Sequence, residues 1–252
     1  MRPLQTDLSI YNQFNFEQPP VGIKFLFSKP EGMEQLDKKN LNLCDVLREA
    51  HQSGKSFYID KENICCGEKS LGMREQTSPF RKSGEMGVKL DIFQEARANR
   101  RIYDYQPAFE PGIINDVVFS PLDKITFEPD LLILMATVSQ AEIVLRAMSY
   151  STGEIWSSKT TIFGTCAWLF VYPYQSGKVN YTVTGMGFGM KAKQVFPEGW
   201  ILISIPYDWI PTITQNLKEM KWVLPAYTAG RDKVMELEKR ITEELLGQSQ
   251  NY

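Results

Sequence analysis

The stretch that most constrains this chain is LLILMA at 131–136, six apolar residues followed almost at once by SQAEIVLRAMSY. A run so short and so uniformly apolar reads as a strand buried on both faces, because a solvated face would show a polar residue at every second position. Ser139 is a candidate N-cap for the segment that follows, and Ile143, Leu145, Ala147 and Met148 are available for packing. A buried strand feeding a helix is a β-α unit that needs cover on both sides. The chain is therefore expected to be α+β, a mixed β-sheet covered by helices.

The other segments fit that frame. PPVGIKFLF (19–27) alternates Val21, Ile23 and Phe25 behind two prolines and reads as a strand. NLCDVLREAHQSG repeats Leu43, Val46, Leu47 and Ala50 at helical spacing and stops at Gly54. Short strands are expected at SFYID and in NDVVFSPLDKITF, and strand-like runs at KTTIFGTCAWLFVYPY, KVNYTVTG and GWILISIPYDWI. Residues 4–14 suggest a short helix, 91–103 a helix capped by Asp91, and IPTITQNLKEMKW a helix after Pro211. Residues 67–88 read as a long loop. The tail places Val234, Leu237, Ile241 and Leu245 on one stripe of a charged C-terminal helix, about 229–247, that packs on its own core or on a second subunit. No linker or repeat interrupts the chain, so residues 1–252 are read as a single α+β domain.

A formal net charge of −2 offers no global attraction to nucleic acid or acidic lipid. The longest apolar runs, LLILMA and CAWLFVY, are far too short to span a bilayer, and MRPLQTDLSIYNQF lacks the pattern of a secretory leader. The expectation is a cytoplasmic protein with no nucleic-acid or membrane partner; the tail helix permits a homo-oligomer.

In a reducing compartment, four cysteines are either small apolar core residues or chemistry. The single histidine, His51, excludes a zinc site with two histidines. Cys44, Arg48 and His51 fall on one stripe of the proposed helix, where a guanidinium one turn from a thiol would stabilise its thiolate. The alternative is that Cys44 packs and Arg48 is merely solvated. In ENICCGEKSLG the adjacent Cys65 and Cys66 point apart if the chain is extended, so one is a ligand or nucleophile and the other packs. Gly67 permits close backbone approach, and N–H groups there can donate to sulfur or an anion. No C-x-x-C occurs, so neither a zinc ribbon nor a ferredoxin signature is present. Cys166, among large apolar residues, reads as core unless it meets the other cysteines in space. TGMGFGMK lacks the spacing of a phosphate-binding loop and reads as a bent strand or hairpin. Arg97, Arg100 and Arg101 read as a solvated face or subunit contact.

Several stretches taken in order, PPVGIKF, LCDVLREAHQSGKSFYIDKENICCG, VVFSPLD, FEPDLLILMATVSQAEIVLRAMSYSTGE, GTCAWLFVYPYQSGKVNY and ILISIPYDWI, resemble the family known as domain of unknown function 169, over residues 19 to 222. The resemblance implies that Cys44, Cys66 and Cys166 are the cysteines to weigh, and that Cys65 is a departure. Three thiols from separated segments suit a cluster, because thiolates are the soft ligands iron–sulfur centres use and three leave one iron open. That iron has Cys65, His51, a carboxylate or a substrate to take.

Three functions follow. The first is a [4Fe–4S] protein held by Cys44, Cys66 and Cys166, with a redox or Lewis-acid role and a redox partner or small-molecule ligand. The second is a metal-free binding protein whose pocket is lined by Trp156, Trp168, Tyr172 and Tyr174. The third is a thiol enzyme using Cys44 or Cys66 with Arg48 as activator, a design short of a base partner. The first is the reading carried forward.

Overall fold

The six-residue apolar run, β6 (Leu131–Ala136), is buried along its whole length and lies inside a six-stranded sheet. The computed structural model describes residues 1–74 and 82–249, so part of the expected 67–88 loop lies outside the described residues. The other strands are β1 (Val21–Leu26), β2 (Leu41–Asn42), β3 (Phe57–Ile59), β4 (Ile64–Cys66), β5 (Asp116–Pro121), β7 (Asn180–Val183) and β8 (Ile201–Pro206). They pair in the order β3-β5-β1-β6-β8-β7. Every pairing in this sheet is antiparallel. The fold is α+β as expected; parallel pairing joins β2 and β4 in a separate ribbon and Gln35 to Tyr58 of β3 in an isolated bridge.

Both faces of the sheet are covered, which is why β6 carries no polar residue. Leu131, Ile133 and Met135 join one core with α1 (Leu43–Ser53) and a π-helix at Ala167–Val171. Their alternates, Leu132 and Leu134, belong to the opposite face, where α4 (Val138–Tyr150) lies against β6 and β8. The β-α unit is thus present, but its cap is Thr137 rather than Ser139. Thr137 accepts from the Gln140 backbone N–H and the Gln140 side chain closes the box.

Among the described residues, further α-helices are α2 (Glu85–Lys89), α3 (Ala96–Tyr105), α5 (Tyr172–Ser176), α6 (Phe188–Ala192) and α7 (Trp209–Glu219). The helix expected over 91–103 begins later: Asp91 has φ +55°, a left-handed turn conformation, and the N-cap is Glu95. TGMGFGMK leads into α6 instead of a hairpin.

The contacts divide the chain into two compact units, Met1–Lys218 and Glu219–Tyr252. The second holds α8 (Pro225–Ala229) and α9 (Arg231–Ser249), and Ile241 and Leu245 of the expected stripe are exposed. Among the described residues, no helix is long and apolar enough to cross a membrane.

His51 closes the last turn of α1 and is buried. Its Nδ1–H donates to the Pro19 carbonyl at 2.9 Å, which leaves Nε2 buried without a partner. Burial pulls the imidazole down to about 4, the Pro19 contact opposing it. The folded chain therefore keeps the ring neutral where the unfolded chain protonates it. Its contribution is complete above the unfolded value of ~6.5 and is lost as pH falls toward about 4. Urea unfolding should show a loss on the order of 2–3 kcal/mol between pH 7 and pH 4.5 from this residue. His51→Gln should flatten that part of the slope; an unchanged slope would assign the loss to other groups.

Candidate thiol site

Cys44 enters the core because α1 is started by a capping box. The Asn42 side chain and Asp45 cap one another's backbone N–H groups, and Leu43 and Cys44 then turn inward. Arg48 donates to Asp45 Oδ1 at 3.0 Å, and it is absent from the cavity wall described below.

The CC pair is placed by Asn63, one residue before β4. Its Nδ2 donates to the carbonyls of Leu36 and Lys38 at 2.6 and 2.8 Å. Its Oδ1 accepts from Gln35 Nε2 and from the Asp60 backbone N–H, both at 3.0 Å. The strand it anchors shows the alternation expected of extended chain: Cys65 is exposed, its thiol donating to the Asn40 carbonyl at 3.1 Å, and Cys66 is half-buried. Gly67 follows at φ +100°, and a Cβ there would stand 3.2 Å from Leu43 Cβ, so glycine lets this turn lie on the start of α1.

Cys166 was expected in a strand-like run and stands instead on helical backbone, immediately before the π-helix. The aromatic and β-branched residues of this segment favour a strand by propensity, but every residue from Ala167 to Val171 is buried, and tertiary packing overrides the preference. Pro173 accounts for the wide turn. In an α-helix its ring would collide with the Leu169 carbonyl and could not donate to it, and a π-turn absorbs that mismatch. Asn180 then takes up the Trp168 carbonyl through Nδ2 at 2.8 Å.

These segments bring the sulfurs together. Cys44 Sγ and Cys166 Sγ are 3.3 Å apart, and Cys66 lines the same cavity beside them. The contact with Cys44, together with burial, pushes the Cys166 thiol well up, and Cys66 works the other way. Burial and Cys66 also push Cys65 up, opposed by the Lys193 ammonium. All four cysteines and Gly67 line one cavity of about 240 Å³.

The rest of the lining was not foreseen. Met86, Tyr103, Phe163, Phe188 and Met190 line the same cavity as the thiols. Phe163 stacks with Tyr103 at 6.3 Å and meets Phe188 edge-on at 5.3 Å. Gln106 donates to Ser70 at 2.8 Å and presses on Gly164, whose missing side chain makes room for it. Lys193 Nζ donates to Asn42 Oδ1 at 2.5 Å. None of the four aromatics expected around a pocket lines this cavity. Trp156 is exposed and bonds Ser149, Trp168 and Tyr172 pack together, and Tyr174 borders a separate hollow of about 450 Å³ around the Lys24–Asp130 ion pair. Among the described residues, no three His, Cys, Asp or Glu side chains are disposed as a metal-binding group.

Fold and site together define an α+β protein with a thiol-walled, aromatic-faced cavity. The chain belongs to the DUF169 family, described as Uncharacterised ArCR, whose model matches residues 9–216. It is similar to the uncharacterized protein MJ0308 of Methanocaldococcus jannaschii, with 25% identity over 213 residues, 82% of this chain and 90% of that protein. No solved structure matches it.

Proposed function

We propose that the cavity holds a thiolate-ligated metal cofactor, a [4Fe–4S] cluster bound by Cys44, Cys66 and Cys166 in a reducing cytosol. The observation that carries this reading is that all four cysteines, from three separated segments, line a single cavity. The donor set fits a soft metal. The spacing fits only after movement: two thiolates stand ~3.8 Å apart on one tetrahedral ion and roughly 6 Å apart on two irons of a cubane, against 3.3 Å for Cys44 and Cys166.

When bound, such a centre supplies electron transfer or a Lewis-acidic iron. The protein's own part is to hold the three sulfurs on α1, β4 and the helical turn before the π-helix, in a cavity with apolar lining. Tyr103, Phe163 and Phe188 supply that lining and would seat a small organic ligand. The same lining favours a second reading, a binding pocket for a small molecule with no metal.

Iron and acid-labile sulfide, measured on protein purified without air, should reach about four of each per chain. Cys44→Ser and Cys166→Ser should each lose both. Zinc without sulfide would replace the cluster by a single ion, and no metal after reconstitution would leave the binding-pocket reading.

A further inference from the structure

We propose that Cys44 and Cys166 form a redox-active dithiol, oxidised to an intramolecular disulfide by small uncharged disulfides that enter the cavity. The two sulfurs are already within van der Waals contact at 3.3 Å, and both are buried, at 4% and 8% exposure. Closing to the ~2.05 Å of a disulfide takes an approach of about 1.3 Å, far less than either sulfur sweeps in a rotamer change. Both thiols line the cavity, so a reagent inside it meets them directly. Exposed Cys65 is held on the Asn40 carbonyl; Cys66 lines the same cavity and acts on Cys166, so the pairing is decided by which cross-link forms.

The chemistry balances as a dithiol–disulfide exchange. One thiolate of the pair attacks a sulfur of RSSR, forming a mixed disulfide and releasing RS⁻, which takes up the proton that the attacking thiol gave away. The partner thiolate, next to it, attacks the protein-side sulfur of the mixed disulfide. A second RS⁻ leaves and is protonated. The protein dithiol has lost two electrons and two protons, and RSSR has become two RSH.

The cavity sets the substrate class. At about 30 Å³ per water in the liquid, about 240 Å³ corresponds to about eight water-sized groups. Hydroxyethyl disulfide, with about eight heavy atoms, enters; glutathione disulfide, with roughly 40, does not. The inference does not rest on a bound metal, although a metal on the same sulfurs would shield them.

The test compares protein as purified with protein stripped by a chelator, its fold verified by circular dichroism. Each is incubated without air with hydroxyethyl disulfide or glutathione disulfide, alkylated, and mapped by mass spectrometry without reduction. The expected result in the stripped protein is a Cys44–Cys166 cross-linked peptide pair, formed at least ten-fold faster with the small reagent. Cys44→Ser and Cys166→Ser should each abolish it. A principal Cys65–Cys66 or Cys66–Cys166 product, no cross-link in folded stripped protein, or equal rates with both reagents would overturn the proposal. Iron and sulfide content, measured on the same samples, reports separately on the cluster reading.

Discussion

Phe119→Ala should destabilise the chain by about 3–5 kcal/mol, the usual cost of emptying a buried aromatic site. Phe119 is fully buried in β5 and links two layers. It stacks on Phe57 of β3 at 5.7 Å and meets Phe170 of the π-helix at 6.1 Å. Sheet and π-helix are each too regular to collapse into the gap, so the cavity term adds to the lost transfer energy. Phe119→Leu keeps most of the volume and should cost less than about 2 kcal/mol. Chemical denaturation of both variants decides the matter: equal midpoints would show that Phe119 does not tie the two layers together.

Asn63→Ala should cost a comparable amount, about 3–5 kcal/mol, for a different reason. Truncation removes four hydrogen bonds made by a buried side chain, and each contributes about 0.5–1.5 kcal/mol net. Because Asn63 precedes β4, the loss reaches the site as well as the fold. Cys66 should alkylate with iodoacetamide at least several-fold faster in the variant, while Leu and Val substitutions of equal thermal effect elsewhere in the sheet should not raise that rate. Unchanged Cys66 reactivity would make Asn63 a purely structural clamp.

How far these features were legible in the sequence follows from what each depends on. β6 and α1 are written locally: a uniformly apolar six-mer and an i, i+3, i+4, i+7 stripe specify burial on two faces or on one. The inward turn of Cys44 follows from that stripe. Cys166 was misplaced because its segment has strand composition, and the partner of the carbonyl freed ahead of Pro173, Asn180, lies outside that segment. Asn63 carries no local signal at all, since one asparagine in a loop looks like any other until its two carbonyl partners are known. The aromatic wall was missed similarly. Phe163, Phe188 and Tyr103 come from three segments with no shared spacing, and Trp168, two residues from Cys166, packs on Tyr172 instead.

The π-helix has a consequence for how relatives of this chain can diverge. A π-turn holds one residue more than the α-turn it replaces, so removing a single residue between Ala167 and Val171 would restore regular winding downstream of Cys166. The backbone before it would then rotate by about 100° about the helix axis, carrying that sulfur off the cavity while the hydrophobic positions after it keep their register. A one-residue deletion here would therefore displace the third thiol while leaving the helix after it in register. The length of this short segment is a sharper marker of a shared site than the presence of the cysteine itself.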